Sequence, residues 1–404
     1  MVIVCQGETE VAIIKFLARA CQAAKWAAIP AAALALAACE PVGPRSAGGS
    51  GPRTGSGETV KVALLVPRGT GQAGDEVLAT ALENAARLAI ADLNGANIDM
   101  TVYGTAGSAA GATTAASTAI NDGADIILGP VYADAANAAG VVAAQRGVNV
   151  LAFSNNRTIA GNNVFVLGPL FETSAMRLMN YAKSQGKQSV AGIYADNLAG
   201  QLAQHAVNGA ASRAGVTVTG SIVHPFSQQG IIDAMPQIKS AALAADSVFL
   251  TSTTDGALPL LTQLMPENGI NPEEHQYISL TRLDIPPQTL ELPGVQNAWF
   301  ALPDPGRTAQ FNARYQGAYG TSAHSIAGLA YDGIAAIGAL MASGRQNALS
   351  RQSLTQSQGF EGVTGIFRLN SDGTNDRGLA VATIRDKQVV VIDGAPRSFS
   401  GVGF

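Results

Sequence analysis

"VKVALLVPRGTGQAGDEVLATALENAARLAIADLN", residues 60–94, joins a short apolar run, a glycine-rich turn and a long segment rich in alanine and leucine. The apolar run at 60–66 predicts a buried strand, and the segment after the turn predicts a helix over about 75–94. A strand that passes directly into a helix is the unit from which parallel sheets are built. The stretch therefore predicts an α/β fold.

The same alternation of strand and helix continues along the chain. "IDMTVYG" (98–104), "ADIILGP" (124–130) and "VNVLAFS" (148–154) predict further strands with helices between them. The pattern pauses near 161–170 and then begins a second series, which predicts two doubly wound parallel-sheet lobes. Near the end, "GVTGIFRLNSDGTNDRGLAV" (362–381) predicts a β-hairpin with its turn at "NSDGT".

Composition limits the class of protein. The 404 residues are 47% hydrophobic and 13% charged, with a formal net charge of -4. Such a chain can build more than one core, and it has no basic surface that would bind nucleic acid.

The amino terminus predicts export. Lys15, Arg19 and Lys25 precede the 13-residue run "WAAIPAAALALAA", which is too short to span a bilayer, and so residues 1–38 are interpreted as a signal peptide. The run ends at "LAAC", and this predicts that Cys39 carries a lipid such as palmitate. The alternative is ordinary secretory cleavage that leaves Cys39 unmodified. Residues 39–58, rich in Gly, Pro and Ser, predict a flexible tether after the lipidated cysteine.

Gly69, Gly71 and Gly74 form a G-x-G-x-x-G pattern, the signature of a dinucleotide site. Pro67 and Arg68 separate the strand from the first glycine. The second predicted strand ends in "YGT", where such a site needs an acidic residue for the ribose. Dinucleotide binding is therefore disfavoured, and no cofactor is predicted.

Signatures of catalysis and of metal binding are equally sparse. No serine has glycines two residues before and two after it, and no His-Glu-x-x-His motif occurs. The four histidines, His205, His224, His275 and His324, have no ligand-like spacing. We predict no catalytic residue, no metal site and no enzymatic activity.

Polar residues recur where predicted strands end, the edge at which open α/β sheets bind ligands. Two facing lobes would bring these residues to one cleft, with Arg157 suited to an anion and Asp255 to a cation. The alternative is that the Asn, Ser and Thr residues only cap helices. The predicted cleft residues are Gly71, Gln72, Tyr132, Ser154, Asn155, Asn156, Arg157, Thr158, Tyr194, Asp196, Thr253 and Asp255.

Residues 60–94, "DGADIILGPVYADAANAAGVVAAQRGVNVLAFSNN" (122–156) and "GLAYDGIAAIGALMASG" (328–344) resemble the type 1 periplasmic-binding-protein family, whose leucine-binding members deliver amino acids to ABC transporters. The resemblance implies two lobes that close on a ligand about a three-crossing hinge, with crossings near 168–170, 303–306 and 344–359. Lobe 1 would comprise 59–168 plus about 304–345. Lobe 2 would comprise 169–303 plus about 346–404.

Within this family, "FSNN" (153–156) and "GFEGVTGIFRLNSDGTNDRGLAV" (359–381) are most similar to penicillin-binding protein activators. This implies a non-catalytic periplasmic lipoprotein that contacts a peptidoglycan synthase, anchored in the outer rather than the inner membrane because Glu40 follows the cysteine. Better-known activators carry an additional helical-repeat domain, where this chain has a short tether. The alternative is a receptor that passes an amino acid or related solute to an ABC permease.

The family's amino-acid site can be placed on this sequence residue by residue. Thr158 matches a threonine that holds the ligand carboxylate, and Asp255 matches the acid that accepts the amine. Ala133 stands near the place of a serine that also holds the carboxylate, and Leu198 stands where a tyrosine is expected. The resemblance thus implies an incomplete amino-acid site.

Overall fold

The computed structural model describes residues 59–399, so the predicted signal peptide, Cys39, the tether and residues 400–404 lie outside the described residues. The first sheet is entirely parallel, with strand order β2-β1-β3-β4-β5. Its strands are β1 (Thr59–Val66), β2 (Asn97–Gly104), β3 (Ile126–Leu128), β4 (Asn149–Ala152) and β5 (Val164–Val166). The helices between them are α1 (Ala73–Asp92), α2 (Ala109–Asn121) and α3 (Ala133–Ala144).

The second sheet repeats this topology. Its parallel part has the order β7-β6-β8-β9-β10, and β14 and β15 extend it in antiparallel fashion beyond β10. Its elements are α4 (Phe171–Ser184), β6 (Ser189–Ala195), α5 (Leu198–Ala214), β7 (Thr217–His224), α6 (Gln228–Leu243), β8 (Ser247–Leu250), α7 (Leu258–Glu267), β9 (Gln276–Ser279), β10 (Trp299–Leu302), β14 (Ala380–Arg385) and β15 (Gln388–Asp393). The prediction of two doubly wound lobes is confirmed.

Strand β1 shows why its sequence is almost continuously apolar. Val62, Leu64 and Val66 belong to the core on one face of the sheet, while Ala63 and Leu65 belong to the core on the other. Successive side chains of a strand point to opposite faces, and both faces here are covered by helices.

The remaining elements complete the first lobe. They are α8 (Pro305–Tyr319), α9 (Gly328–Ala342), α10 (Arg351–Leu354) and a small antiparallel sheet of β11 (Phe360–Gly362), β12 (Gly365–Leu369) and β13 (Asn375–Arg377). The predicted hairpin is confirmed, because residues 370–374 connect β12 to β13.

The third crossing lies later in the chain than the predicted 344–359. Leu349, Leu354, Phe360 and Phe367 are buried in the same core as β1, and so residues 346–369 pack with the first lobe rather than the second. Only from β14 onwards does the chain return to the second sheet, which puts the crossing at 378–379. The other two crossings, at 167–170 and 303–304, lie close to their predicted positions.

Side chains of β13, directly before the third crossing, bind the first crossing. Asn375 donates from Nδ2 to the carbonyl oxygens of Val166 and Gly168, at 2.7 and 2.8 Å. Arg377 donates from Nε and Nη2 to the Leu167 oxygen, at 2.9 and 2.5 Å. The guanidinium of Arg377 is also 3.0 Å from the fully buried carboxylate of Asp332 on α9. The hinge is therefore built around a buried ion pair.

Candidate ligand-binding cleft

The glycine-rich turn after β1 forms hydrogen bonds within itself and with the start of α1. The amide of Gly69 donates to the Glu76 carboxylate at 2.7 Å, so this carboxylate lies at the start of α1, where a bound phosphate would otherwise interact with the helix dipole. Gly71 has a φ of +76°, a left-handed conformation that favours glycine, and Gln72 is the N-cap residue of α1. Both are exposed. The Tyr132 hydroxyl donates to Asp75 and so ties the start of α3 to this turn.

The segment after β4 is largely a self-bonded turn. The Ser154 hydroxyl accepts from the amide of Asn156 at 3.1 Å. The Asn156 side-chain oxygen accepts from the Thr158 amide at 2.9 Å and from its hydroxyl at 2.8 Å. Asn156 therefore caps the short 3-10 helix Arg157–Ile159, as in the alternative interpretation, while Ser154 and Thr158 form hydrogen bonds within the same turn. Ligand contacts of these residues stay predictions. Asn155 differs from them, because it lines the cavity described next.

A cavity of about 210 Å³ lies between the lobes, at the level of the hinge crossings. Its wall is mostly apolar, and both lobes and all three crossings contribute to it. The wall contains two arginines, Arg282 and Arg377. Arg377 belongs to the buried hinge pair, so Arg282 is the cation that could bind a ligand. The lining residues are Asn155, Pro169, Phe171, Ser174, Leu280, Arg282, Ile285, Ala301, Leu302, Pro303, Ser325, Ile326, Leu329, Thr364, Arg377 and Leu379.

Arg282 follows the carboxyl end of β9. Its Nε donates to the Asp284 carboxylate at 2.8 Å, and its Nη2 donates to the second oxygen of the same carboxylate. The side chain of Arg282 remains 32% exposed. This bidentate contact orients the guanidinium and leaves Nη1 available to a ligand.

Sequence reasoning missed Arg282, although the rule applied to other strands would have found it. "QYISLTR" is an apolar run followed at its carboxyl end by polar residues, the same signal as "LAFSNN". The apolar wall residues Phe171, Ile326 and Leu329 gave no such signal, because hydrophobic residues in helices are normally attributed to a core.

Of the twelve predicted cleft residues, Asn155 is the one that lines this cavity. Tyr194 is fully buried in the core of the second lobe, where burial raises the pKa of its phenol, so the prediction that it lines the cleft is wrong. Arg157 pairs with Glu172 at 2.7 Å and lines a different cavity. Asp196, Thr253 and Asp255 are exposed after β6 and β8. Their ligand contacts stay predictions.

Within residues 59–399, no group of three or more histidine, cysteine or acidic side chains is placed to hold a metal ion. In the same range, no helix has both the length and the hydropathy that crossing a bilayer requires.

A protein-family model described as periplasmic binding protein matches residues 59–388. This chain belongs to the periplasmic binding protein family. The family implies a periplasmic location, and its members bind solutes. The expected α/β fold with two parallel-sheet lobes is the fold of the type 1 members.

Solved structures agree with this fold. A structure described as a putative branched-chain amino acid ABC transporter from Rhodospirillum rubrum is 18% identical, with a TM-score of 0.67, over 83% of this chain and 99% of that one. A substrate-binding protein from Desulfitobacterium hafniense in complex with Leu is 18% identical, with a TM-score of 0.62, over 83% and 100%. A solute-binding protein from Rhodopseudomonas palustris in complex with 3,4-dihydroxybenzoic acid is 18% identical, with a TM-score of 0.58, over 84% and 98%. No curated protein matches the chain.

Proposed function

We propose that this protein is a non-catalytic substrate-binding receptor that delivers a small solute to an ABC importer. The observation that carries the proposal is the cavity whose wall comes from both lobes and from all three hinge crossings. A ligand that contacts both lobes at once stabilises the closed arrangement over the open one. The structural neighbours, described as ABC transporter substrate-binding proteins, support this function, and an ABC permease is the expected partner.

The wall indicates the chemistry of the solute. Phe171, Leu280 and Ile326 offer an apolar surface, and Arg282 offers a guanidinium beside it. No carboxylate is among the described residues that line this cavity, so a charged acceptor for an ammonium group is missing from its wall. We therefore propose a carboxylic acid with an aliphatic or aromatic body. An α-amino acid would need an acceptor from the rim, where Asp255 is the candidate.

Ligand binding can be tested by thermal denaturation and titration calorimetry with benzoate, 3,4-dihydroxybenzoate, isovalerate, leucine and phenethylamine. We expect the acids to stabilise the protein, by about 2.7 kcal/mol at a concentration one hundred times Kd, and the amine without a carboxylate to have no effect. Arg282→Gln should weaken binding about ten- to a hundredfold, because a charge-assisted hydrogen bond is lost.

The matched control is Arg146→Gln, which changes an exposed arginine at the end of α3, away from the cavity wall. It should bind the acids as the unmodified protein does. If none of the acids and amino acids binds, the receptor function is wrong.

A second candidate function is contact with a peptidoglycan synthase, as the resemblance to penicillin-binding protein activators suggests. The observation that favours it is exposed apolar surface on the second lobe. Leu198 and Phe226, which follow the neighbouring strands β6 and β7, are 64% and 65% exposed. Phe226→Ser should then abolish capture of purified synthases while leaving small-molecule binding intact. Unchanged capture would exclude this surface.

The proposed lipid anchor at Cys39, with the outer membrane as its location, is tested separately by fractionation. Cys39→Ser should move the protein from the membrane fraction to the soluble periplasmic fraction. Continued attachment to the membrane would refute the anchor.

A further inference from the structure

A second cavity lies on the flank of the hinge, on the other side of α4 from the cleft. Its volume is about 360 Å³. Helix α4 presents Phe171 and Ser174 to the cleft, whereas Glu172 and Thr173 line the second cavity. Arg377 is the residue common to the two walls. We call this second space the flank cavity. It is separate from the proposed receptor site.

Arginine is the main polar component of its wall. Five arginines, Arg157, Arg177, Arg213, Arg368 and Arg377, face three carboxylates, Glu172, Asp372 and Asp376. Two of the five are paired with acids outside the wall, since Arg177 contacts Asp393 at 2.7 Å and Arg377 contacts Asp332 at 3.0 Å. The other three arginines share the wall with the three carboxylates.

Several of these polar groups have unused hydrogen-bonding capacity. Arg157 contacts Glu172 through Nη1 at 2.7 Å, and Arg368 contacts Asp376 through Nε at 2.8 Å, so each guanidinium keeps further N–H groups free for a ligand. Arg213, near the end of α5, is exposed and has no ion-pair partner among residues 59–399. The cavity therefore offers guanidinium donors from both lobes.

The floor of the flank cavity contains an unsatisfied acceptor. Asn375 is only 2% exposed, and its Nδ2 is committed to the carbonyl oxygens of Val166 and Gly168. Its Oδ1 has no hydrogen-bond partner among the described residues. A buried acceptor without a donor costs about 1–3 kcal/mol, so a hydroxyl group that reached this oxygen would be favoured.

We propose that the flank cavity is a second ligand site and that it binds a small phosphorylated polyol. Guanidinium groups bind phosphate through paired, planar hydrogen bonds, and Arg157 and Arg213 supply them from the two lobes. The carboxylates and the Asn375 oxygen accept hydrogen bonds from hydroxyl groups. A phosphorylated polyol carries an anion and separate carbon-bound hydroxyls in one molecule, whereas inorganic phosphate lacks those hydroxyls and a neutral polyol lacks the anion. The volume is of the size found for small-ligand pockets, roughly 300–1,000 Å³.

Glycerol 3-phosphate is the probe for this proposal, and titration calorimetry on the full chain is the measurement. We expect it to bind at least tenfold more tightly than inorganic phosphate, and we expect glycerol not to bind. Arg213→Gln should weaken glycerol 3-phosphate about tenfold without affecting the fold, because Arg213 is exposed. Arg146→Gln, an exposed arginine away from this cavity, should leave the affinity unchanged.

Other outcomes would overturn the assignment. Equal affinity for inorganic phosphate and glycerol 3-phosphate would show that the cavity does not recognise the polyol. Absence of binding to either would show that the cavity is not a ligand site. Sedimentation with phosphatidylglycerol vesicles, with phosphatidylcholine vesicles as the control, distinguishes a lipid headgroup from a soluble ligand. Binding to the phosphatidylglycerol vesicles without binding to glycerol 3-phosphate would contradict the proposal of a soluble ligand. Arg282→Gln should leave glycerol 3-phosphate binding intact, so this proposal can fail independently of the receptor function.

Discussion

At the scale of single residues, the pair of Arg377 and Asp332 is the most deeply buried ion pair among residues 59–399. Arg377→Met would leave the Asp332 carboxylate buried without its cation and would remove both donors from the Leu167 oxygen. We expect the free energy of unfolding to fall by about 3–5 kcal/mol, measured by urea denaturation. Adding Asp332→Asn should recover part of this loss, because it removes the stranded charge.

The same substitution at Arg368 is the control. Arg368 and Asp376 pair at 2.8 Å, but both side chains are about one third exposed. A solvated pair contributes about 0–1 kcal/mol, so Arg368→Met should be mild. Equal losses of unfolding free energy for Arg377→Met and Arg368→Met would mean that burial does not increase the cost of breaking the hinge pair.

At the scale of elements, the turn between β12 and β13 packs against the first sheet through Gly373. This glycine has a φ of +84°, and its carbonyl oxygen accepts from the Val166 amide at 2.9 Å. A Cβ at this position would lie 2.3 Å from the Gly161 nitrogen and 2.4 Å from the Val164 oxygen. Gly373→Ala should therefore lower the melting temperature through both backbone strain and steric overlap, at a combined cost of about 2–4 kcal/mol.

Gly269 provides the matched comparison, because its φ is +81° and a Cβ there would meet nothing within 4 Å. Gly269→Ala isolates the backbone term, about 1–2 kcal/mol. Equal shifts in melting temperature for the two variants would show that the turn between β12 and β13 can move away from β5 and relieve the steric overlap without loss of stability.

At the scale of the whole molecule, several titrating groups make stability fall in acid. Burial would raise the pKa of Asp92, but hydrogen bonds from Arg314 and Tyr331 outweigh it and lower that pKa below the usual 3.8. Hydrogen bonds from the Gln188 amide and the Ser189 hydroxyl lower the pKa of Asp246. The unfolded chain therefore binds more protons as the pH falls through this range, and stability decreases.

His324 adds an earlier step, because burial lowers its pKa below 6.5. Urea denaturation between pH 8 and pH 3 should show no contribution from His324 above pH 6.5. Below that pH we expect a shallow loss of stability, with a steeper loss as the carboxylates protonate below about pH 4. His324→Gln should remove the shallow step alone. A stability that rises on acidification through pH 6 would contradict this assignment.

Much of the fold could be predicted because apolar strands and amphipathic helices alternate with a clear period, as in residues 60–94. The third crossing could not, because Leu349 and Phe367 carry no mark of the lobe in which they are buried. Tyr194 stands near a strand end in sequence but points into the core, since the pleat of β6 and not its polarity decides which way it faces. Arg282 could have been predicted, because it follows the carboxyl end of a strand as the other predicted cleft residues do. The positions of Ile326 and Leu329 in the cavity wall could not, because they depend on tertiary packing alone.

The first core has a consequence for the order in which the protein can fold during synthesis. All five strands of the first sheet precede residue 167, yet Phe311, Ile337 and Phe367 are needed to cover one of its faces. A nascent chain that ends near residue 300 would therefore expose an apolar sheet surface, and the first lobe cannot finish folding until Phe367 has been made. The first lobe therefore stays incomplete until most of the chain has been made, and an incompletely folded chain can still be threaded through a membrane channel.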